Sequence, residues 1–200
     1  MDFDAVVRRR RMVRSYRRDP VSADALDRIL DAGRRAPSAG NTAALDLVVL
    51  EGSEQTAAYW DTTLVSERRS SFPWPGLLDA PVLVLVVVDP VAYVRRYAEI
   101  DKAHTGLGDG ADAWPVPFWF VDGGAAIMSM LHATVAEGLG ALLFGVFEHE
   151  DDVRTRFSIP GDRRIVAVVA LGHPGDDDRA SSSSRRGRRS LAEVVHRGHW

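Results

Sequence analysis

The residues with the clearest chemical potential are arginines near the start of the chain. Seven arginines lie between positions 8 and 18, in a chain whose formal net charge is −3. Such a local excess of guanidinium groups indicates an anion, and their planar fork suits a phosphate. A second arginine group, which includes Arg186 and Arg188, lies near the other end. The two groups are either unrelated solvated patches or two parts of one anion site.

Helical periodicity favours the shared anion site. If Asp2 caps a helix, the apolar residues at positions 3, 6 and 7 form one stripe. A buried guanidinium needs a partner, because an unpaired buried charge is costly. Continuing the same period predicts that three arginines lie near the inward side of this helix: Arg10, Arg11 and Arg14.

A short polar turn, residues 36–41 (APSAGN), follows about one helix later. A turn of this kind can simply end the preceding helix. It also offers a hydroxyl, an amide and exposed backbone groups shortly before a predicted strand. These groups suit the binding of a flat polar heterocycle.

Composition limits the classes of protein that this chain can be. Its 200 residues, 46% of them hydrophobic, suffice for one domain with a sizeable core. The acidic net charge disfavours a nucleic-acid binder, and the lack of cysteine excludes disulfides and thiolate nucleophiles. The N-terminus has no signal-peptide pattern, and the apolar stretches are interrupted or too short to span a bilayer. We expect a cytoplasmic protein that binds neither nucleic acid nor membrane.

Helices and strands alternate along the chain, but their connections vary too much in length for a regular βαβ series, which favours a layered α/β sheet. The run 82–88 holds five valines without alternation and predicts a strand covered on both faces. The run 120–139 predicts a helix that is buried on most sides and lies at a subunit interface. Further strands are predicted at 47–50, 141–147 and 165–171, further helices at 22–36, 57–64, 90–100 and 150–157, and a long loop at 101–117.

Three histidines are candidates for chemical roles. His104 lies in the long predicted loop, where a substrate-side acid is conceivable but a solvated side chain is more common. His132 lies on the apolar helix and is interpreted as a satisfied core or interface residue. His149 is surrounded by acidic residues but has no second histidine nearby, so it indicates a charged helix start rather than a metal site. The glycines at 106–110 lack the spacing of a dinucleotide loop.

Several short motifs lie in a fixed order along nearly the whole chain, from about residue 6 to residue 195. They are 10–16 (RRMVRSY), 36–41 (APSAGN), 79–81 (DAP), 139–145 (LGALLFG), 170–174 (ALGHP) and 186–188 (RGR). Together they resemble the FMN-dependent nitroreductase family. The resemblance implies an α+β class, with a layered α/β/α fold, a central mainly antiparallel sheet and a buried helix at a homodimer interface. It also implies a single flavin-binding domain over residues 1–200, in which a polar connector, 176–190, leads to the C-terminal basic segment.

The same resemblance implies an FMN-dependent oxidoreductase of the nitroreductase type. Such an enzyme transfers reducing equivalents from NADH or NADPH through bound flavin to a small organic acceptor such as a nitroaromatic or a quinone. Because the cofactor carries the chemistry, no catalytic side chain and no metal are expected. The alternative is a flavin-binding carrier or sensor without turnover.

The family motifs also imply which residues bind the flavin, in three groups. The sequence departs from the family at Met12, where a serine is usual, and at 43–45, where Gln-Pro-Trp is frequent. The first departure removes one hydroxyl contact to the phosphate, so a lower affinity for FMN is expected. The phosphate ligands are Arg10, Arg11, Arg14, Arg186 and Arg188; Pro37, Ser38, Ala39 and Asn41 lie beside the ring; and Leu143, Phe144, Gly145 and Val146 pack over it.

Overall fold

The protein is built around a four-stranded sheet with helices on both faces. A computed structural model describes residues 2–200. All neighbouring strands are antiparallel, in the order β1-β2-β4-β3. The strands are β1 (Leu45–Glu51), β2 (Val82–Val88), β3 (Gly140–Phe144) and β4 (Arg164–Gly172). The helices are α1 (Phe3–Arg9), α2 (Ala23–Arg34), α3 (Gly52–Thr63), α4 (Ser66–Arg69), α5 (Pro90–Tyr97), α6 (Phe118–Ala136), α7 (Glu150–Arg156) and α8 (Leu191–Val194).

Strand β2 forms the centre of the core, and all seven of its residues are buried. Successive side chains of a strand point to opposite faces, so the strand serves two clusters. Leu83 and Leu85 pack in one cluster with Trp60 of α3, whereas Val84 packs in the other with Met130 of α6. Coverage of both faces explains why the strand is valine-rich without alternation, and it confirms the layered α/β/α prediction.

Helix α6 packs against α2 and three strands of the sheet. The two helices approach closely at Gly33, where an added Cβ would lie 2.8 Å from Cγ of Met130. By length and composition α6 is apolar enough to cross a membrane, a test that core helices also pass. The sequence predicted that the apolar stretches are interrupted or too short to span a bilayer; α6 has the length and composition of a span, and its packing against α2 and the sheet is that of a core helix. Within a single chain Val121 and Met128 of this helix are 49% and 38% exposed, so its burial on most sides at a subunit interface stays a prediction.

The first helix is shorter than the periodicity predicted. It begins after Asp2, which caps it as expected, but it ends at Arg9. Val6 is buried, while Phe3 and Val7 are exposed. The chain leaves the helix because Met12 pairs with Ala141 at the edge of the sheet. The helical register therefore does not reach Arg11 or Arg14.

The other predicted elements lie near their expected positions, whereas the short helices α4 and α8 were not predicted. Ser22 caps α2 through its side chain, as its place before the apolar stripe predicted. Helix α3 begins at Gly52, several residues before the predicted start. The predicted extended run 141–147 is a strand only as far as Phe144. The predicted loop 101–117 contains three short 3-10 turns and no longer element.

Candidate functional site

The arginine segment, residues 10–16, is extended and held by backbone hydrogen bonds to other elements. Val13 N donates to the Ala141 carbonyl at 2.9 Å, and Tyr16 N donates to the Gly76 carbonyl at 3.0 Å. Gly175 N donates to the Ser15 carbonyl at 2.8 Å. These bonds attach the segment to the start of β3, to the 3-10 turn before β2 and to the residues that follow β4.

Tyr16 provides a side-chain anchor for the same segment. Its hydroxyl group donates to the carbonyl oxygens of Val13, at 3.0 Å, and of Ala170 in β4, at 3.2 Å. Burial raises the pKa of this phenol far above its usual value, so the hydroxyl keeps its proton at physiological pH.

The N-terminal arginines differ in whether a carboxylate neutralises them. Arg10 and Arg14 are half-buried and have no carboxylate partner within residues 2–200. Arg14 Nη1 donates only to the Met12 carbonyl, at 3.3 Å, and its guanidinium lies 5.2 Å from the ring centre of Trp74. These two arginines therefore keep donors for an external anion. The paired arginines are Arg8 with Asp4, Arg11 with Asp178, Arg17 with Asp19 and Arg18 with Asp79.

A cavity of about 410 Å³, here called the arginine cavity, joins Arg14 to the predicted ring-packing segment. Phe144, Gly145 and Val146 line it. Trp60 also lines it and stacks on Phe144, with ring centres 5.6 Å apart. Leu143 is 37% exposed. The structure thus brings together residues from positions 14 and 144–146.

The polar loop, residues 37–41, is held by side chains of other elements. One Asp122 oxygen accepts from Ala39 N at 2.8 Å and from the Tyr93 hydroxyl at 2.7 Å. Arg96 Nε donates to the Gly40 carbonyl at 2.9 Å. Burial, together with the hydrogen bond to Asp122, raises the pKa of Tyr93. Asn41 has a φ of 52°, a left-handed conformation that asparagine adopts more readily than most residues with a Cβ.

The polar loop lines two further cavities, and neither shares a residue with the arginine cavity. Pro37, Ser38 and Asn41 line one of about 740 Å³, together with Asp122. Ala39 lines the other, of about 210 Å³, here called the aromatic cavity. Its remaining walls are apolar or aromatic: Tyr97, Leu107, Trp114, Pro115, Val116 and Phe118.

The C-terminal arginines lie on the surface. Arg186 and Arg188 are exposed, and neither forms a hydrogen bond or an ion pair within the described range 2–200. Their predicted convergence with the N-terminal arginines stays a prediction. Arg179, in contrast, lies near the arginine segment, with its guanidinium 5.5 Å from the ring centre of Trp74.

Comparison with known proteins connects these features. Residues 7–173 match the sequence profile described as Nitroreductase family. The chain belongs to the nitroreductase family. This membership confirms the resemblance seen in the motifs. The matched residues include the arginine segment, the polar loop and residues 143–146.

Similar proteins share most of their length with this member of the family. A 4-nitrobenzoate reductase from a Nocardioides species is 30% identical, over 86% of this chain and 80% of its own. An NADH dehydrogenase from Thermus thermophilus is 28% identical, over 88% and 89%. A solved putative nitroreductase from Desulfovibrio desulfuricans, in complex with FMN, has a TM-score of 0.65 and 24% identity, over 98% and 95%.

Of the three candidate histidines, only His149 lines the arginine cavity. His104 is exposed in a 3-10 turn. His132 was interpreted as satisfied, but its buried Nε2 has no hydrogen-bond partner within residues 2–200 and its ring packs edge-on against Phe3. His149 precedes α7, as predicted for a charged helix start. In the part of the chain that the structure describes, no three His, Asp or Glu side chains are grouped as metal ligands.

Three residues that shape the site were not predicted to do so. Asp122 is one of few titratable residues on the apolar helix, and the need of a half-buried carboxylate for donors could have singled it out. Asp178 lies in an acidic run that resembled a solvated connector. Nothing in the sequence pattern singles out Trp74, because its contact with Arg14 joins distant parts of the chain.

Proposed function

We propose that the protein is an FMN-dependent NAD(P)H oxidoreductase of the nitroreductase type. The observation that carries this proposal is the pair of half-buried arginines, Arg10 and Arg14, that lack a carboxylate partner within residues 2–200. Family membership and the functions of the similar proteins support it. The solved relative in complex with FMN supports the choice of cofactor.

The donor set around the arginine cavity fits a phosphorylated flavin. Arg14 offers unpaired guanidinium N–H groups at one side of the cavity, and such groups bind phosphate strongly. Gly145 also lines the cavity, and backbone can approach a ring closely there because the residue has no side chain. An added Cβ at Gly145 would lie 3.1 Å from the ring of the exposed Phe147, so a larger residue would require this ring to move.

Each group of residues then has a task. Bound FMN would supply the hydride- and electron-transfer chemistry between the nicotinamide and the acceptor. Arg10 and Arg14 hold the phosphate, and Arg186 and Arg188 complete its charge neutralisation. Residues 37–41 lie beside the ring. Backbone N–H groups of residues 143–146 stabilise negative charge on the reduced ring, as preorganised donors do in other sites.

A homodimer joins the two halves of this site. Within one chain, Arg14 and the polar loop line cavities that share no residue. A second copy that presents its polar loop to the arginine cavity completes the flavin pocket. Exposed apolar residues on α6 and α8, such as Val121 and Leu191, suit burial against that copy.

The acceptor is a small organic molecule such as a nitroaromatic or a quinone. The aromatic cavity beside Ala39 supports a flat apolar acceptor, because Tyr97, Trp114 and Phe118 offer ring surfaces for stacking. A cysteine-free chain that uses NADH or NADPH suits the reducing cytoplasm.

An anaerobic reduction experiment tests the proposal. The purified protein, loaded with FMN, is yellow, and NADH or NADPH should bleach it rapidly in the absence of oxygen. Adding 4-nitrobenzoate or a benzoquinone should then restore the colour. A flavin that stays oxidised with both nucleotides would instead support a carrier or sensor, and failure to bind FMN would remove the proposal.

A further inference from the structure

Asp178 is a nearly inaccessible carboxylate attached to the arginine segment. Its side chain is 2% exposed and forms an ion pair with Arg11. One of its oxygens also accepts from the backbone N–H groups of Arg14, at 2.7 Å, and of Ser15, at 3.1 Å. Three donors from positions 11–15 thus converge on a single carboxylate from the other end of the chain.

The segment presents different side chains to the acidic run and to the arginine cavity. Arg11 contacts Asp178, and the Ser15 hydroxyl donates to Asp177. Arg14 instead lies against Trp74 and lines the cavity. In an extended chain, fixing the backbone also fixes the direction of each side chain. Asp178 accepts a hydrogen bond from the backbone N–H of Arg14 itself. It therefore fixes the backbone position from which the Arg14 side chain extends.

We propose that Asp178 is a positioning residue for the phosphate site, and that Arg11 neutralises Asp178 instead of binding phosphate. This inference rests on the proposed function, because it concerns the same flavin site. A buried carboxylate is retained only with charged and hydrogen-bonding partners, and Arg11 supplies the charge. The pair also brings the start of the C-terminal segment beside the N-terminal arginines, where Arg14 and Arg179 contact the same Trp74 ring.

The direction of the change in FMN affinity distinguishes two roles of Asp178: positioning Arg14, or competing with the phosphate for Arg11. If Asp178 occupied Arg11 in place of the phosphate, its removal would free a cation and remove a nearby negative charge, so FMN would bind more tightly. If Asp178 positions Arg14, its removal releases the segment and FMN binds more weakly. Riboflavin has no phosphate, so its affinity reports on the ring contacts and on the general integrity of the fold.

The test compares the Kd values of FMN and riboflavin, measured by flavin fluorescence, in wild type, Asp178→Ala, Asp178→Asn and the exposed control Asp176→Ala. Loss of one charge-assisted phosphate contact corresponds to about a tenfold weaker affinity or more. We expect this loss for FMN in Asp178→Ala, with riboflavin unchanged. Asp178→Asn keeps an acceptor for the two backbone N–H groups and should recover part of the affinity, and Asp176→Ala should match wild type.

A double variant tests the role given to Arg11. Arg11→Gln leaves the buried Asp178 carboxylate without its charged partner and should also weaken FMN binding. The double variant Arg11→Gln with Asp178→Asn should bind FMN no more weakly than the worse single variant, because the two residues act as one unit. Additive losses would make Arg11 a phosphate ligand and overturn the inference. Unchanged or tighter FMN binding in Asp178→Ala, or equal losses for both flavins, would also overturn it. If wild type binds no FMN, the proposed function itself fails.

Discussion

The arginine segment and the polar loop are both short and irregular, yet different contacts hold them. Residues 10–16 are joined to other elements mainly through the backbone, at Val13, Ser15 and Tyr16. Residues 37–41 form backbone bonds among themselves, from Asn41 N to Ser38 O and from Thr42 N to Ala39 O. Their links to other elements are the side chains of Asp122 and Arg96.

This difference determines what a substitution should damage. Where the backbone supplies the attachment, an arginine side chain can be removed at a cost to binding and with little cost to folding. Where a buried side chain supplies the attachment, its removal leaves polar groups without partners and destabilises the fold. Loss of the Arg14 side chain, which has no carboxylate partner within residues 2–200, should therefore be tolerated structurally, whereas loss of Asp122 should not.

The largest expected effect is the loss of Asp122. Asp122→Ala leaves the Tyr93 hydroxyl and Ala39 N without their acceptor, and two stranded donors cost about 2–4 kcal/mol of unfolding free energy. Urea denaturation should show a lower midpoint. Asp122→Asn keeps an acceptor and should lose less than half as much. Equal stability of Asp122→Ala and wild type would break the comparison.

The second prediction concerns the arginine segment. Arg14→Ala should weaken FMN binding by about 1.5–3 kcal/mol, or roughly 10- to 100-fold, because one charged phosphate contact is lost. Its urea midpoint should stay close to that of wild type, since the guanidinium is half-buried and has no carboxylate partner within residues 2–200. Arg9→Ala is the matched control, because Arg9 is exposed in the last turn of α1. Equal flavin retention in the two variants would contradict the phosphate site.

A smaller effect should come from strain next to the polar loop. Ala43 has a φ of 51°, a conformation that is unfavourable for a residue with a Cβ. Ala43→Gly should raise the unfolding free energy by about 0.5–1 kcal/mol, because relief of strain exceeds the extra chain entropy of glycine. Ala44→Gly is the control, because Ala44 is not in this conformation, and it should lower stability. A destabilising Ala43→Gly would mean that the loop relaxes without strain.

The smallest expected effect is a pH dependence of stability that arises from the ion pair between Arg96 and Asp101. Arg96 also donates to the Gly40 carbonyl of the polar loop. The hydrogen bond from Arg96 lowers the pKa of Asp101 from 3.8 to about 2. Because the folded pKa lies below the unfolded one, this pair stabilises the fold above about pH 4 and loses its contribution as the pH falls through about 2. The pair is exposed, so solvent screening keeps the effect small.

Asp101→Asn should therefore be less stable than wild type near neutral pH, with the difference shrinking in acid. Urea denaturation at about pH 5 and about pH 2 measures this change, in the range where unperturbed carboxylates titrate. Asp109→Asn, in the same long loop, should show no such trend. A stability difference between Asp101→Asn and wild type that does not change with pH would contradict the contribution assigned to the Arg96–Asp101 ion pair.

Local pattern predicted the elements well and the site partly. The valine run 82–88 was assigned without error, because a strand covered on both faces needs apolar residues at every position. Ser22 was correctly placed as a cap, because its hydroxyl satisfies a free N–H within three residues. The helical register of residues 10–14 was wrong, because pairing between Met12 and Ala141, distant in sequence, overrides local periodicity.

What the sequence by itself determined is the family, the order of helices and strands, and the presence of arginines and a polar turn suited to a flavin phosphate and ring. Only the tertiary structure decided which arginines keep donors for an anion. Arg11 and Arg14 are equivalent as residue types, but Asp178 pairs with the former and Trp74 lies against the latter. Such partners come from distant parts of the chain, and the free energy of a charge depends on its neighbours in space rather than on its neighbours in sequence.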